Sequence, residues 1–187
     1  MSGLEAGQHQ DPRDPATLAH LRALVERTRP VSTADQRVLP VLSAVDELLP
    51  DGLRRGSVVQ VGGAVGATSL ALALAAGPTQ AGSWVACVGV DELGWAAAAA
   101  AGVDLDHLVV VHAPRPSWAT VMASLVDAVD VVLCGLQHAP SATEVRRLQA
   151  RARERGTVLI VLGVRSRPEG ALGRGWPDAP DVGIRVV

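Results

Sequence analysis

The chain has 187 residues, 19 acidic and 17 basic, with a net charge of -2 and 48% hydrophobic residues. That length suits one domain with a full core and is too short for two ordinary ones, and the near-neutral charge excludes global attraction to nucleic acid or an anionic membrane. Every basic residue is Arg, which excludes lysine-dependent chemistry, and with no Phe or Tyr the core must be built from Ala, Val and Leu.

Residues 1–13 are polar and aperiodic and read as a flexible tail. Asp14 and Pro15 form an N-cap and first helical residue, followed by Leu18, Leu21, Leu24 and Val25 at helical spacing. A short amphipathic helix is therefore expected to about Arg29, where Pro30 stops it. Together with a packed connection it makes up residues 14–45, ahead of a core domain over 46–187. A helix this short cannot bury its stripe alone, so Leu18, Leu21 and Val25 must dock on the core or meet another chain. They are the candidates for partner binding or self-association.

From Ser57 onward strands alternate with helices. Strands are expected over 58–61, 84–90, 107–111, 129–134, 158–162 and 182–187, and helices over 68–76, 93–101, 117–127 and 141–155. Ser117 reads as a cap, and Ser141 with Glu144 reads as a capping box. The pattern predicts an α/β fold with a mostly parallel central sheet, right-handed crossovers and flanking helices. Cys87 and Cys134 lie in apolar runs as small hydrophobes, and their spacing and lack of His partners exclude a metal site. With no signal-peptide pattern and no membrane-length apolar run, a cytoplasmic protein without a membrane partner is expected.

The segment from Val58 to Leu70 is a strand, a glycine-rich turn and a helix start, a setting in which backbone N–H groups can hold a phosphate. Gly62, Gly63, Gly66, Thr68 and Ser69 are the candidate phosphate-binding residues. A working phosphate loop follows G-x-x-x-x-G-K-[ST]. Here Gly62 and Gly66 enclose only three residues, Ala67 stands in the lysine position, and Thr68 remains where the Mg²⁺-holding hydroxyl would be. Either the turn only packs strand against helix, or it keeps weak ATP and magnesium binding.

Three stretches, in this order and spacing, resemble the RecA family core: Leu48-Leu49-Pro50-Asp51-Gly52-Leu53-Arg54-Arg55-Gly56, Gly102-Val103-Asp104-Leu105-Asp106-His107-Leu108 and Ala128-Val129-Asp130-Val131-Val132. The resemblance runs over 39–187 and is closer to the actinobacterial ImuA-type proteins, RecA-like accessory subunits of the DNA-damage mutasome. It implies a RecA-like P-loop NTPase core preceded by an N-terminal helix. It also implies a degenerate site, since the metal-assisting acid is matched by Gly135 and the γ-phosphate sensor by Val164. Asp91 and Glu92 lie near the family's water-activating glutamate, but the register needs a gap, and they read as a polar strand end that caps the next helix rather than as a retained acid.

Arg146, Arg147, Arg151, Arg153 and Arg155 share one helix and read as a solvated face. Arg165, Arg167 and Arg174 lie among glycines where RecA-like recombinases carry a DNA-contacting loop, and they are the nucleic-acid candidates. Trp176 is the aromatic residue near that loop, so stacking platforms for single-stranded DNA are sparse. The resemblance implies no enzymatic activity, no required cofactor, a Y-family polymerase-like (ImuB-type) partner and, through it, an error-prone C-family polymerase. Possible homo-oligomers, a residual ATPase or recombination mediator, and a cell-division inhibitor remain as alternatives.

Overall fold

In the computed structural model, residues 38–49, 51–63, 65–90, 93–163 and 176–186 are described. The chain divides into two units, Met1–Val31 and Ser32–Val187, and the description concerns the second. The helix expected over 14–29, with Leu18, Leu21 and Val25, lies outside the described residues.

The first elements form a small antiparallel ribbon. β1 (Val38–Leu39) pairs with β2 (Leu53–Arg54), and the short helix α1 (Ser43–Asp46) lies between them. Leu39, Val45, Leu49 and Leu53 are buried, so the expected packed connection is a folded cap on the core.

The main sheet contains β3 (Val58–Gly62), β4 (Val85–Val88), β5 (Leu108–Val111), β6 (Val131–Gly135), β7 (Val158–Leu162) and β8 (Val182–Arg185). Their spatial order is β5-β4-β6-β7-β3-β8, and every neighbouring pair is parallel. The four central strands read VVQVG, VACV, VVLCG and VLIVL. Such near-continuous apolar runs, interrupted only by Gln60, are what a parallel sheet covered on both faces requires.

Helices α2 (Ala67–Gln80) and α3 (Trp95–Ala100) cover one face, with Leu72, Leu74 and Ala98 meeting Val61, Cys87 and Ile160. Helices α4 (Trp118–Ala128) and α5 (Ala142–Arg155) cover the other, where Trp118, Met122 and Leu148 meet Val88, Cys134 and Val161. The two cysteines are buried in opposite cores, and desolvation pushes each thiol up to about 12.

Several boundaries differ from those expected. α2 runs on through Gly77 and Pro78, and a Cβ at Gly77 would meet Pro40 O at 2.5 Å and Val41 Cα at 2.7 Å. The chain before α1 crosses the helix there, and only glycine allows that approach. The second and fourth expected strands lose their first residues, because Trp84 and Asp130 form a loop junction: Trp84 O accepts from the Asp130 and Val131 amides, each at 3.1 Å. Ser117 stands at the N-cap position of α4, but its side chain makes no capping bond. Its hydroxyl donates to Pro114 O at 3.2 Å and closes a 3-10 turn, Arg115–Ser117. Ser141 caps as expected: its Oγ accepts from the Glu144 amide at 3.2 Å, while its own amide donates to the Glu144 carboxylate at 2.8 Å. The Ser141 hydroxyl, which donates to the Glu144 carboxylate at 2.7 Å, and then the Ser141 amide hold that carboxyl below the usual carboxylate range.

Candidate functional site at the strand ends

The glycine-rich turn sits at the carboxyl end of β3. Gly66 adopts a left-handed conformation, φ 81°, and begins α2 without a side-chain cap. Val65 at the turn is 83% exposed, Thr68 is half-buried and Ser69 exposed. Backbone amides at the start of α2 and the Thr68 and Ser69 hydroxyls are therefore the donors this turn can offer. Ala67, the first helical residue, adds only a methyl group.

The turn also has a packing role. Val186 donates its amide to Gly62 O at 2.9 Å, extending the β3–β8 ladder past Arg185. A Cβ at Gly63 would lie 2.6 Å from Val186 O, and one at Gly66 would lie 3.3 Å from Val186 Cγ1. The glycines thus let the end of β8 close on the turn, a long-range need that their local pattern does not announce.

Gly135 ends β6, beside the end of β4. After β4 the chain leaves for the face covered by α3, and after β6 for the face covered by α5. Divergence of this kind is where open α/β sheets form a ligand crevice. Val164, Asp91 and Glu92 lie outside the described residues, as do Arg165, Arg167 and Arg174. Trp176 is described, and it is 2% exposed within the α4–α5 core, so its ring is not a stacking platform. A cavity of about 450 Å³ lies beside it, lined by Trp176, Pro177, Asp178, Pro180, Arg185 and the buried Gln60 of β3 among others. Sequence reading passes over this cavity because Gln60 is simply one polar residue in an apolar strand.

The arginine face of α5 is solvent-exposed as expected, and three of its five arginines also lie within ion-pair distance of a carboxylate. Arg151 and Arg155 both bind Asp127 of α4, with Nε–Oδ1 distances of 2.7 Å and 3.1 Å, and Arg153 lies 3.7 Å from Asp181. The Arg151 bond leads in holding the Asp127 carboxyl below its ordinary range. Arg146 and Arg147 are exposed on the same helix.

At the opposite end of the sheet, Arg55 Nη1 donates to Asp130 Oδ1 at 2.8 Å, and Asp130 Oδ2 accepts from the Trp84 amide at 3.2 Å. Two of the sequence stretches that carry the family resemblance are joined by this bond. In the third stretch, Asp104 caps a 3-10 turn by accepting from the Asp106 amide at 3.1 Å and pairs with His107 Nδ1 at 2.8 Å. The His107 bond leads in lowering the Asp104 carboxyl. Among the described residues no group of His, Cys, Asp and Glu is arranged to hold a metal ion, and no helix is long and apolar enough to cross a membrane.

A family model described as the MT3502 N-terminal domain matches residues 47–168. The uncharacterized protein Rv3395c of Mycobacterium tuberculosis is 34% identical over 134 residues, covering 71% of this chain and 66% of that relative. The chain thus spans just under two thirds of the relative's length. The crystal structure of the RadB recombinase is similar with a TM-score of 0.50 and 21% identity, covering 70% of this chain and 72% of that one. Likeness at that identity is one of fold alone, and it agrees with the RecA-like α/β core expected from the sequence.

Proposed function

The chain belongs to the MT3502 N-terminal domain family, and on that premise we propose that it is a non-catalytic RecA-like accessory subunit of an error-prone translesion synthesis complex, the ImuA-type role in the DNA-damage response. A fold does not by itself supply a function. The process comes from the resemblance of the three sequence stretches, and one observation carries the idea of a subunit that works by contact. The outer face of α3 carries no charge: Trp95 is 52% exposed, and Ala96, Ala97, Ala99 and Ala100 are exposed beside it, while only Ala98 of this helix is buried. A solvated helix ordinarily places polar residues on such a face, and an exposed apolar one marks an interaction surface.

In this reading the partner is a Y-family polymerase-like subunit without polymerase activity, with an error-prone C-family polymerase beyond it. The protein needs no nucleotide, and it acts in the cytoplasm, at the nucleoid during DNA damage. Co-purification of the full chain with that partner tests the reading. Ala96→Arg with Ala100→Arg should abolish the complex while leaving the thermal midpoint unchanged, because both sites are exposed and Arg is a good helix former. A complex that survives these charges overturns the assigned face. ATP turnover that stops on Thr68→Ala would favour the residual ATPase instead.

A further inference from the structure

A RecA-like fold implies a magnesium nucleotide at the carboxyl ends of its strands, and the main chain decides whether one fits. Gly89, the residue after β4, has a left-handed φ of 66°. A Cβ on Gly135 would run into Gly89 O, and would lie 3.0 Å from Gly89 C and 3.3 Å from Val90 Cγ2. The reverse also holds: a Cβ on Gly89 would run into Gly135 O and lie 3.5 Å from Gln137 Cγ. The two residues continue the β4–β6 register, in which Val88 faces Cys134. At the point where the two chains diverge, backbone meets backbone.

We infer that the corner where a RecA-like fold would hold its magnesium ion is closed in this chain by direct contact of the Gly89 and Gly135 main chains. The loss of metal–nucleotide chemistry is then built into the backbone, and restoring side chains does not reverse it. The inference deepens the non-catalytic reading and rests on its assignment of position 135 to the metal-assisting acid. An aspartate there has no room for its Cβ, so its carboxylate has no route to a metal. Ala67 likewise offers no amine, and the turn of Gly63 and Gly66 is packed on Val186. The donor set that remains, amides and hydroxyls at the start of α2, lacks both the amine and the acid at position 135 that a magnesium nucleotide would need beside them.

The test separates space from charge. Gly135→Ala and Gly89→Ala each add one methyl group and should lower the urea midpoint clearly, and Gly135→Asp should lower it further. Ala67→Lys should leave the midpoint close to that of the parent. Calorimetric titration of ATP, with Mg²⁺ or with EDTA, should show no magnesium-dependent binding for the parent, for Ala67→Lys or for Ala67→Lys with Gly135→Asp. If the last variant does not fold, Gly135→Ala decides alone. A Gly135→Ala protein as stable as the parent overturns the inference, and so does a tenfold tightening of ATP binding by Mg²⁺ in any of these proteins. Failure of the partner experiment leaves these outcomes untouched, so the two proposals fail separately.

Discussion

Breaking the Arg55–Asp130 pair is the sharpest test of how the lower edge of the sheet is held. The side chains are 17% and 11% exposed, so neither charge is well solvated once its partner is gone. Removing one member of a buried pair costs about 3–5 kcal/mol, because the other charge is stranded. The two ends are not equivalent. Asp130→Leu strands the guanidinium, left only with Gly156 O at 3.5 Å, and also orphans the Trp84 amide. Arg55→Met leaves Asp130 with the Trp84 amide, and it relieves the Arg55 Nε, which is buried without a partner. Asp130→Leu should therefore fall at the upper end of that range and Arg55→Met at the lower. At roughly 2–4 °C per kcal/mol for a protein of this size, the drop in Tm spans about 6–20 °C. The double variant removes both charges and leaves mainly the amide unpaired, a cost of about 1–3 kcal/mol, so it should be more stable than Asp130→Leu alone. Urea unfolding of the parent, both single variants and the double variant closes the cycle. If Asp130→Leu costs less than ~1 kcal/mol, or if the double variant loses the sum of the singles, the pair does not hold this edge.

Gly77→Ala should destabilise by about 1–3 kcal/mol through overpacking against Pro40 and Val41, outweighing the roughly 1 kcal/mol that Ala gains over Gly inside a helix; a urea midpoint at or above that of the parent refutes the close crossing. Asp127 titrates low in the folded chain because of Arg151. Its contribution is thus complete above the ordinary carboxylate pKa and is lost as pH falls through the lower folded value. Because these arginines are exposed, Asp127→Asn should cost under ~1 kcal/mol at neutral pH and flatten the acid limb of the stability curve; an unchanged acid limb counts against the pairing. Replacing Arg165, Arg167 and Arg174 together with Ala should reduce the salt dependence of any single-strand binding measured by anisotropy, and a variant that binds as the parent does removes that loop from the nucleic-acid surface.

The alternation of strands and helices was legible because the inner parallel strands are near-continuous apolar runs, a signal that needs no knowledge of neighbours. The Ser141–Glu144 capping box was legible for the same reason, since both partners lie within one turn. Gly62, Gly63, Gly66, Thr68 and Ser69 fall on the expected strand–turn–helix junction. What their local pattern concealed was their service to Val186, far along the chain. The reciprocal need of Gly89 and Gly135 was hidden likewise, because a glycine shows its backbone freedom in sequence but not the chain that exploits it. The α5 arginines were legible as an exposed face, but their partners were not. Helical periodicity places them outward correctly, yet it cannot show that α4 presents Asp127 to Arg151 and Arg155. Helix α2 was cut short at Gly77 because Gly and Pro ordinarily punctuate helices, whereas a crossing segment demands the glycine here.

The two cysteines give the molecule an internal clock. Cys87 lies in the core under α2 and α3, and Cys134 in the core under α4 and α5. Burial keeps both as unreactive thiols, so a thiol reagent can act only after the layer above has opened. Single-cysteine chains, Cys87→Ala and Cys134→Ala, would therefore time the two faces separately. Their labelling rates would tell whether the sheet sheds its helical layers together or one before the other.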